Sequence, residues 1–346
     1  MREKVALIAH SYHRKTRSCD FFADLLQEFY DVELLFDEEW ETGKKINWEA
    51  LNNDYKAVVI FQMFPDEGNI KKITNKNIVY LPMYDHVEKW HFNKWYLCKD
   101  IKIVSFSLTL HRKLKKIGFN SIYVQYFPEP KEFSPGNSNE VFLWQRFTNI
   151  NINTVKKLFK NKDIKLHIHK VPDPGKLFVT PYKEDEKNLQ ITYSNWFEDK
   201  EDLINLIKNK GIYIAPRYTE GIGMSFLEAM AMGKLVIANN KPTMNEYIKN
   251  GETGILCNFN FPQPVKISDI EQIQRNTFEF MQKGYQKWLT EKKNIINFIQ
   301  EEPKHLKLSF YKKIILPFLL FDIKKIIRFK LGTNPSLTIF GIKLCK

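Results

Sequence analysis

One regularity limits what this chain can fold into: short apolar, β-prone runs recur along it, separated by stretches with helical periodicity. VALIA (5–9), VELLF (32–36), AVVIF (57–61), IVYLP (78–82) and KIVSFS (102–107) are such runs; FFADLLQEFY (21–30) and LHRKLKKIGF (110–119) are amphipathic, and SIYVQYF (121–127) follows. Runs without polar alternation are buried on both faces, and strands that alternate with helices form a parallel sheet covered by those helices. The pattern breaks at YFPEPKEFSPGNSNE (126–140), which carries three prolines. It resumes with VFLWQ (141–145), IKLHIHKV (164–171), LQITY (189–193), GIYIAP (211–216) and KLVIAN (234–239), spaced by NTVKKLF (153–159) and KEDLINLIKNKG (200–211). The expected architecture is α/β, with two doubly wound Rossmann-like domains facing a cleft. Their expected bounds are 1–127 and 141–302, joined by a linker at 128–140 and followed by a basic tail at 303–346. A length of 346 residues suffices for two cores. Open sheets of this kind bind ligands beyond the carboxyl ends of their strands. After Phe261 the sequence reads as trailing helices without a strand signal.

Cys19, Cys98, Cys257 and Cys345 have neither metal-site nor disulfide spacing, which points to a reducing, cytoplasmic setting. The first apolar run, Val5 to Ala9, is too short for a signal-peptide core. The net charge of +13 is concentrated at one end: from Pro303 to Lys346 there are ten basic residues against one acid, Asp322. Within that segment FYKKIILPFLLFDIKKIIRFK (310–330) sets paired lysines beside large aliphatics. Its apolar centre, Ile314 to Phe321, is far short of the roughly 20 residues that span a bilayer. The composition is that of a basic amphipathic tail lying on an anionic membrane surface, with a terminal helix packed against the first domain as the alternative; the first makes the expected location peripheral on the inner face of the membrane. A nucleic-acid-binding α/β protein, the rival from another class, would interleave its basic residues with aromatics over a groove. Nucleic acid is therefore not the expected partner.

The stretch most informative about chemistry is GIYIAPRYTEGIGMSFLEAMAMGKLVIANNKPTMNEYIKNGETGILCN (211–258). A buried strand enters a loop holding Gly221, Ile222 and Gly223, and a helix opens near Met224 or Ser225. Glycine lets backbone approach a ligand closely, and the free N–H groups of a helix start favour phosphate. Glu220 and Glu228 lie eight positions apart across this loop and helix. Arg146 follows the first strand of the second domain; its permanently charged planar fork suits paired phosphate oxygens.

This block, from about Val141 to Asn258, resembles the retaining GT-B glycosyltransferases of group 1, family 4, which place two glutamates at this spacing. The resemblance implies that the loop and helix hold the donor diphosphate, that Glu228 binds the donor ribose, and that Glu220 faces the donor sugar. It implies that Arg146 grips the leaving diphosphate. Members of that family usually add a lysine about six residues later, where this chain has Ile152; Lys156 and Lys157 are the nearby substitutes, or else solvated helix residues. TYSNWF (192–197) stands where the family encloses the nucleobase, so Tyr193, Trp196 and Phe197 are candidates for that pocket, or for core. PMYDHVEKW (82–90) puts Asp85 and His86 after a strand of the first domain, and His86 resembles the histidine that family members set beneath the donor sugar.

HSYHRKTRSCD (10–20) reads as a basic loop in which His10, His13, Arg14, Lys15 and Arg17 suit a phosphate-bearing acceptor or form an ordinary solvated run. His167 and His169 share a strand face without a third metal ligand, and Glu184 and Glu186 read as a surface turn. There is no Asp-x-Asp, Gly-x-Ser-x-Gly or P-loop. The resemblance implies transfer of a sugar, with retention, from a nucleotide-sugar to a glycan or lipid-linked acceptor. Bacterial surface polysaccharide or lipopolysaccharide synthesis is the expected setting, and no metal or other cofactor is expected. A nucleotide-sugar epimerase or a phosphorylase of the same architecture is the nearer alternative.

Overall fold

The computed structural model describes residues 2–307, 309, 327–330, 336–339 and 342–343. The chain divides into two compact units, unit 1 comprising Met1–Val124 with Lys292–Lys346 and unit 2 comprising Gln125–Glu291. Unit 1 is built from strands β1 (Lys4–His10), β2 (Asp31–Asp37), β3 (Ala57–Phe61), β4 (Ile78–Leu81), β5 (Lys102–Ser105) and β6 (Ser121–Tyr123). Between them run helices α1 (Tyr12–Thr16), α2 (Asp20–Gln27), α3 (Glu39–Thr42), α4 (Glu67–Ile70), α5 (Tyr84–Val87), α6 (Phe92–Tyr96) and α7 (Leu108–Ile117). Unit 2 follows with β7 (Asn137–Trp144), α8 (Ile152–Leu158), β8 (Lys165–His169), α9 (Lys183–Asn188), β9 (Thr192–Ser194), α10 (Lys200–Lys208) and β10 (Lys210–Ile214). It closes with α11 (Met224–Ala231), β11 (Leu235–Asn239), α12 (Met244–Tyr247) and β12 (Ile255–Cys257). The helix α13 (Ile270–Gln300) begins in unit 2 and ends in unit 1.

Each unit holds one six-stranded sheet, ordered β2-β1-β3-β4-β5-β6 in unit 1 and β12-β11-β10-β7-β8-β9 in unit 2. Every pairing in both sheets is parallel. The expected pair of doubly wound α/β domains is therefore present. The apolar runs fold this way because they have no polar face to offer solvent: every residue of β3, β4 and β11 is buried. Helix α7 shows the matching logic. Ser107 accepts from the Leu110 N–H at its start, Gly118 ends it in the left-handed region, and Leu110, Leu114 and Ile117 are buried along one stripe.

Two buried lysines cap helix ends. Lys102 Nζ donates to the carbonyls of Ile299 (2.8 Å) and Glu301 (2.5 Å) at the end of α13. In unit 2, Lys234 Nζ donates to Lys208 O (2.6 Å), ending α10, and to Ser134 O. A cation at these carbonyls satisfies acceptors that the helix leaves unpaired. Burial lowers the Lys102 pKa to about 8 and that of Lys234 to about 7.

The divisions differ from the expected ones: the first unit's early part ends at Val124 instead of 127, and 303–346 falls within that unit. Strand β7 begins at Asn137, inside the expected linker, because an exposed polar start (Asn137 to Ser138) leads into a buried end. The trailing helices form one long helix whose last turns, from Lys292, belong to unit 1. Of the tail, Ile327–Lys330, Ser336–Ile339 and Ile342–Lys343 are strands of a small antiparallel sheet, β13 to β15 in order. The amphipathic segment expected at 310–330 lies almost wholly outside the described residues. Among those that are described, no helix is long and apolar enough to cross a membrane.

Candidate functional site

In unit 2 the chain leaves β7 for β8 and β9 on one side, then returns to place β10 against the other edge of β7. The sheet's connections diverge between β7 and β10, and such a switch point opens a crevice at the carboxyl ends of its strands. The residues that follow those two ends are Arg146 and the loop 215–223. Arg146, after β7, donates from Nε to Asp173 Oδ1 (2.7 Å), and its guanidinium lies 4.9 Å from the centre of the Trp144 ring. Arg217, after β10, donates to Asp173 Oδ2 (2.5 Å) and lies 5.4 Å from the Phe147 ring. Asp173 is carried by the segment after β8, and its backbone N–H donates to Arg146 O (3.0 Å). Three adjacent strands thus deliver one carboxylate and two guanidiniums to one place.

The loop beyond Arg217 is buried. Glu220 is 6% exposed, and its backbone N–H donates to Pro242 O (3.1 Å). Gly221, Ile222 and Gly223 are buried, and the Ile222 carbonyl accepts from Thr243 Oγ1 (3.3 Å). Gly223 occupies the cap position of α11 at φ +85°, and a Cβ there would sit 1.9 Å from the Phe226 ring. Only glycine fits, on conformation and on space alike. Met224 and Ser225 open the helix half-buried, as expected, and its first turn carries no acid. An anion there meets amide dipoles without a competing charge.

Beneath this loop lies Tyr213, fully buried on β10. Burial raises its phenol pKa well above the ordinary value; Ser225 and Arg146 act against that shift, and the charges of Glu220 and Glu228 add to it. Both glutamates, Ser225 and Arg146 therefore act on one hydroxyl. One Glu228 oxygen accepts from Lys200 Nζ (2.5 Å), the first residue of α10. The loop 195–199 immediately before it carries Trp196, which is half-buried, and Phe197, which stacks on His169 at 5.6 Å.

Tyr193 is placed otherwise than expected. Strand alternation sets it with Ile168 on the core face, where it packs against the unit 2 core and donates to Glu186 Oε1 (2.5 Å). Its hydroxyl is committed to α9. His167 and His169 are core histidines: His167 bonds Thr192 (2.7 Å) and Ser194 (2.8 Å), and His169 bonds Ser194 (2.8 Å). Among the described residues no group of three His, Cys, Asp or Glu is placed to hold a metal ion. Glu184 and Glu186 lie on α9 rather than on a turn, because Asp185 between them is buried against Lys156 (2.6 Å).

In unit 1 the expected basic loop is the short helix α1. His13 is buried edge-on to Phe61 at 5.3 Å and bonds Ser18 (2.5 Å), and burial lowers its pKa to about 4. Arg14 pairs with Glu38 and Arg17 with Asp20 (2.6 Å), while His10 stacks on Trp40 at 5.2 Å. Arg14 and Arg17 are thus paired within unit 1 with side chains 53% and 74% exposed, and Lys15 is exposed as well. His86 follows β4 on α5, exposed, with its ring edge-on to Trp90 at 6.2 Å. Crowding by protein atoms lowers its pKa, Asp85 opposes the shift, and Lys94 and His10 reinforce it.

Residues 146–272 match the family model described as Glycosyl transferases group 1. The match contains Arg146, Glu220, Gly221 to Ser225 and Glu228. Unit 2 is similar to that family. Two curated relatives align with part of the chain. The uncharacterized glycosyltransferase MJ1069 of Methanocaldococcus jannaschii is 31% identical over 149 residues, 40% of this chain and 36% of the relative. An uncharacterized 41.2 kDa protein in the cps region of Klebsiella pneumoniae is 29% identical over 154 residues, 42% of this chain and 41% of the relative. The aligned stretch thus spans about two fifths or less of these relatives. Among solved structures, a Rickettsia africae glycosyltransferase superimposes with a TM-score of 0.60 at 16% identity, covering 87% of this chain and 99% of its own. The lipopolysaccharide outer core galactosyltransferase WaaB scores 0.55 at 15% identity, covering 86% and 99%. Anabaena Alr3699/HepE, solved with UDP and glucose, scores 0.53 at 11% identity with the same coverage. These likenesses concern the fold.

Sequence reasoning missed Arg217, Asp173 and Lys200. Arg217 had a signal, a cation on the same short loop as Glu220 directly after an apolar strand. Asp173 had none, since its partners lie 27 and 44 positions away. The contact from Lys200 to Glu228 likewise spans 28 positions.

Proposed function

We propose that the chain is a glycosyltransferase that takes a nucleotide-sugar donor at the switch point of unit 2 and transfers its sugar with retention to a glycan or lipid-linked acceptor. The observation that supports this most is the combination at that point: a guanidinium after β7, and a buried glycine loop opening α11 after β10, with Glu220 and Glu228 on either side of that loop. The similarity to group 1 glycosyl transferases covers the same residues.

In this reading the bond between the sugar carbon and the donor phosphate breaks, with its electron pair remaining on the phosphate oxygen. The sugar passes through an oxocarbenium-like state, and the acceptor oxygen bonds on the face the phosphate leaves. The acceptor proton goes to the departing phosphate, so no separate base is required. Catalysis is then chiefly electrostatic, with Arg146 and the amides at the start of α11 prearranged for the charge that develops. Glu220 steadies the donor sugar and its positive charge. Glu228, held by Lys200, accepts from the ribose hydroxyls, and Trp196 borders the base. The reading uses no metal or other cofactor. Surface polysaccharide or lipopolysaccharide assembly, at the inner face of a membrane, is the proposed setting.

The test is a thermal-shift panel of nucleotide-sugars, because a ligand that binds only the folded chain raises its melting temperature by mass action. One nucleotide-sugar stabilising the chain, and being turned over with an acceptor extract in the presence of EDTA, is the expected result. Stabilisation by none of the panel overturns the donor assignment.

A further inference from the structure

The resemblance leaves a chemical gap, since a family lysine is replaced by Ile152, and Ile152 is buried in the core at the start of α8. The two nearby lysines do not fill it from where they stand. Lys156 is paired with Asp185 (2.6 Å), and Lys157 is exposed on α8. We propose that Arg217 is the second cation of the donor site, gathered with Arg146 by Asp173 into a two-guanidinium cradle for the donor's diphosphate. The inference rests on the donor reading above and adds to it the residue that completes its phosphate site.

Register carries the argument. Leu143 pairs with Ile214, and Trp144 with His169, so the ends of β10, β7 and β8 lie side by side. Arg217, Arg146 and Asp173 stand on the segments leaving those ends, and Arg217 lies three positions before Glu220 on the loop that opens α11. Lys170, also after β8, is turned to the Tyr193 ring at 4.8 Å. Asp173 accepts one bond from each guanidinium, at 2.7 and 2.5 Å on different oxygens. A single carboxylate thereby fixes two planar forks next to each other, although the two cations repel. Their side chains are 18% and 20% exposed, so both are held within the protein yet open to solvent. The triad carries one net positive charge, while a nucleoside diphosphate carries more than one negative charge. Guanidiniums prearranged on a shared anchor suit paired phosphate oxygens better than a mobile ammonium would. As the sugar–phosphate bond breaks, both forks meet the electron pair retained by the phosphate.

The experiment titrates the full chain with UDP, GDP, ADP and CDP, and with the matching nucleosides, following thermal shift for wild type, R217A, R217K and the K156A/K157A double variant. For the nucleoside diphosphate that stabilises wild type, R217A should bind about 10- to 100-fold more weakly, the range of a lost charged hydrogen bond. R217K should fall in between, and nucleoside binding should stay within about twofold of wild type, which a merely structural role for Arg217 would not allow. Should R217A not fold, R217K decides alone, by a several-fold loss confined to the diphosphate. Equal diphosphate binding by wild type and R217A, a parallel loss of the nucleoside, or a loss confined to K156A/K157A overturns the assignment of Arg217 and leaves the donor reading standing. If no diphosphate stabilises wild type, the donor reading falls, and this inference with it.

Discussion

Gln145 stands one residue before Arg146, fully buried, with no hydrogen-bond partner for either its amide nitrogen or its oxygen. An unmet buried amide costs about 1–3 kcal/mol, so replacing it with a similarly shaped apolar side chain removes a penalty. Gln145→Met is expected to raise the melting temperature of the ligand-free chain by about 2–4 °C, measured by calorimetry; a fall would mean that the amide is satisfied after all. Arg146→Ala, measured per folded molecule with the donor found in the panel, should lower turnover about 10²- to 10³-fold, the scale for losing one prearranged donor to a developing anion. Unchanged turnover would remove Arg146 from the chemistry. At this scale the sequence spoke for residues whose role is local. Gly223 announces its own turn, and Glu220 and Glu228 are fixed by the loop and helix between them. It was silent about Asp173 and Lys200, whose meaning comes from partners on other strands and helices, and it left Tyr193 open between pocket and core because one step along a strand exchanges the two faces.

Strand β8 brings two imidazoles into the interior of unit 2, stacked near Phe142 at 5.8 and 6.2 Å. Burial, before any charge effect, lowers the pKa of His167 and His169 from the ordinary 6.5 to about 4. Between those values the unfolded chain binds protons that the folded chain refuses, so stability falls as pH drops from about 6.5 towards 4 and is unaffected by these groups above 6.5. The loss amounts to a few kcal/mol for the pair. Urea midpoints at pH 7.5 and pH 5 should therefore differ more for wild type than for a His167→Gln/His169→Gln variant; equal differences would show that other groups govern the acid limb. Elements such as β3 and β11 were legible because an unbroken apolar run has one home, the middle of a parallel sheet. Helix α1 was not, since its five residues offer no apolar stripe, and Arg14 finds its partner, Glu38, on a distant segment.

For the molecule as a whole, the basic segment 303–346 is proposed to hold the chain on an anionic membrane. Each cation near such a surface contributes about 1 kcal/mol, so binding should be salt-sensitive. A chain ending at Ser309 keeps Leu306 against the unit 1 core and His305 on Asp100 (2.8 Å), and so removes the amphipathic segment without disturbing those contacts. Co-sedimentation of the full chain with anionic vesicles, lost on truncation and weakened by salt, is expected; equal binding by both chains excludes the role. The lysine cap at the end of α13 has a consequence in time as well as in space. Unit 1 takes Lys102 from its early sequence and the Ile299 and Glu301 carbonyls from its late sequence, and Asn77 also donates to Ile299 O (2.9 Å). All of Gln125–Glu291 lies between. At about 5–20 residues per second a ribosome needs on the order of ten to thirty seconds to make that stretch. The first unit begun is thus the last that can be finished, and a nascent chain waits with Lys102 of β5 lacking its carbonyls while the residues of the second unit are already made.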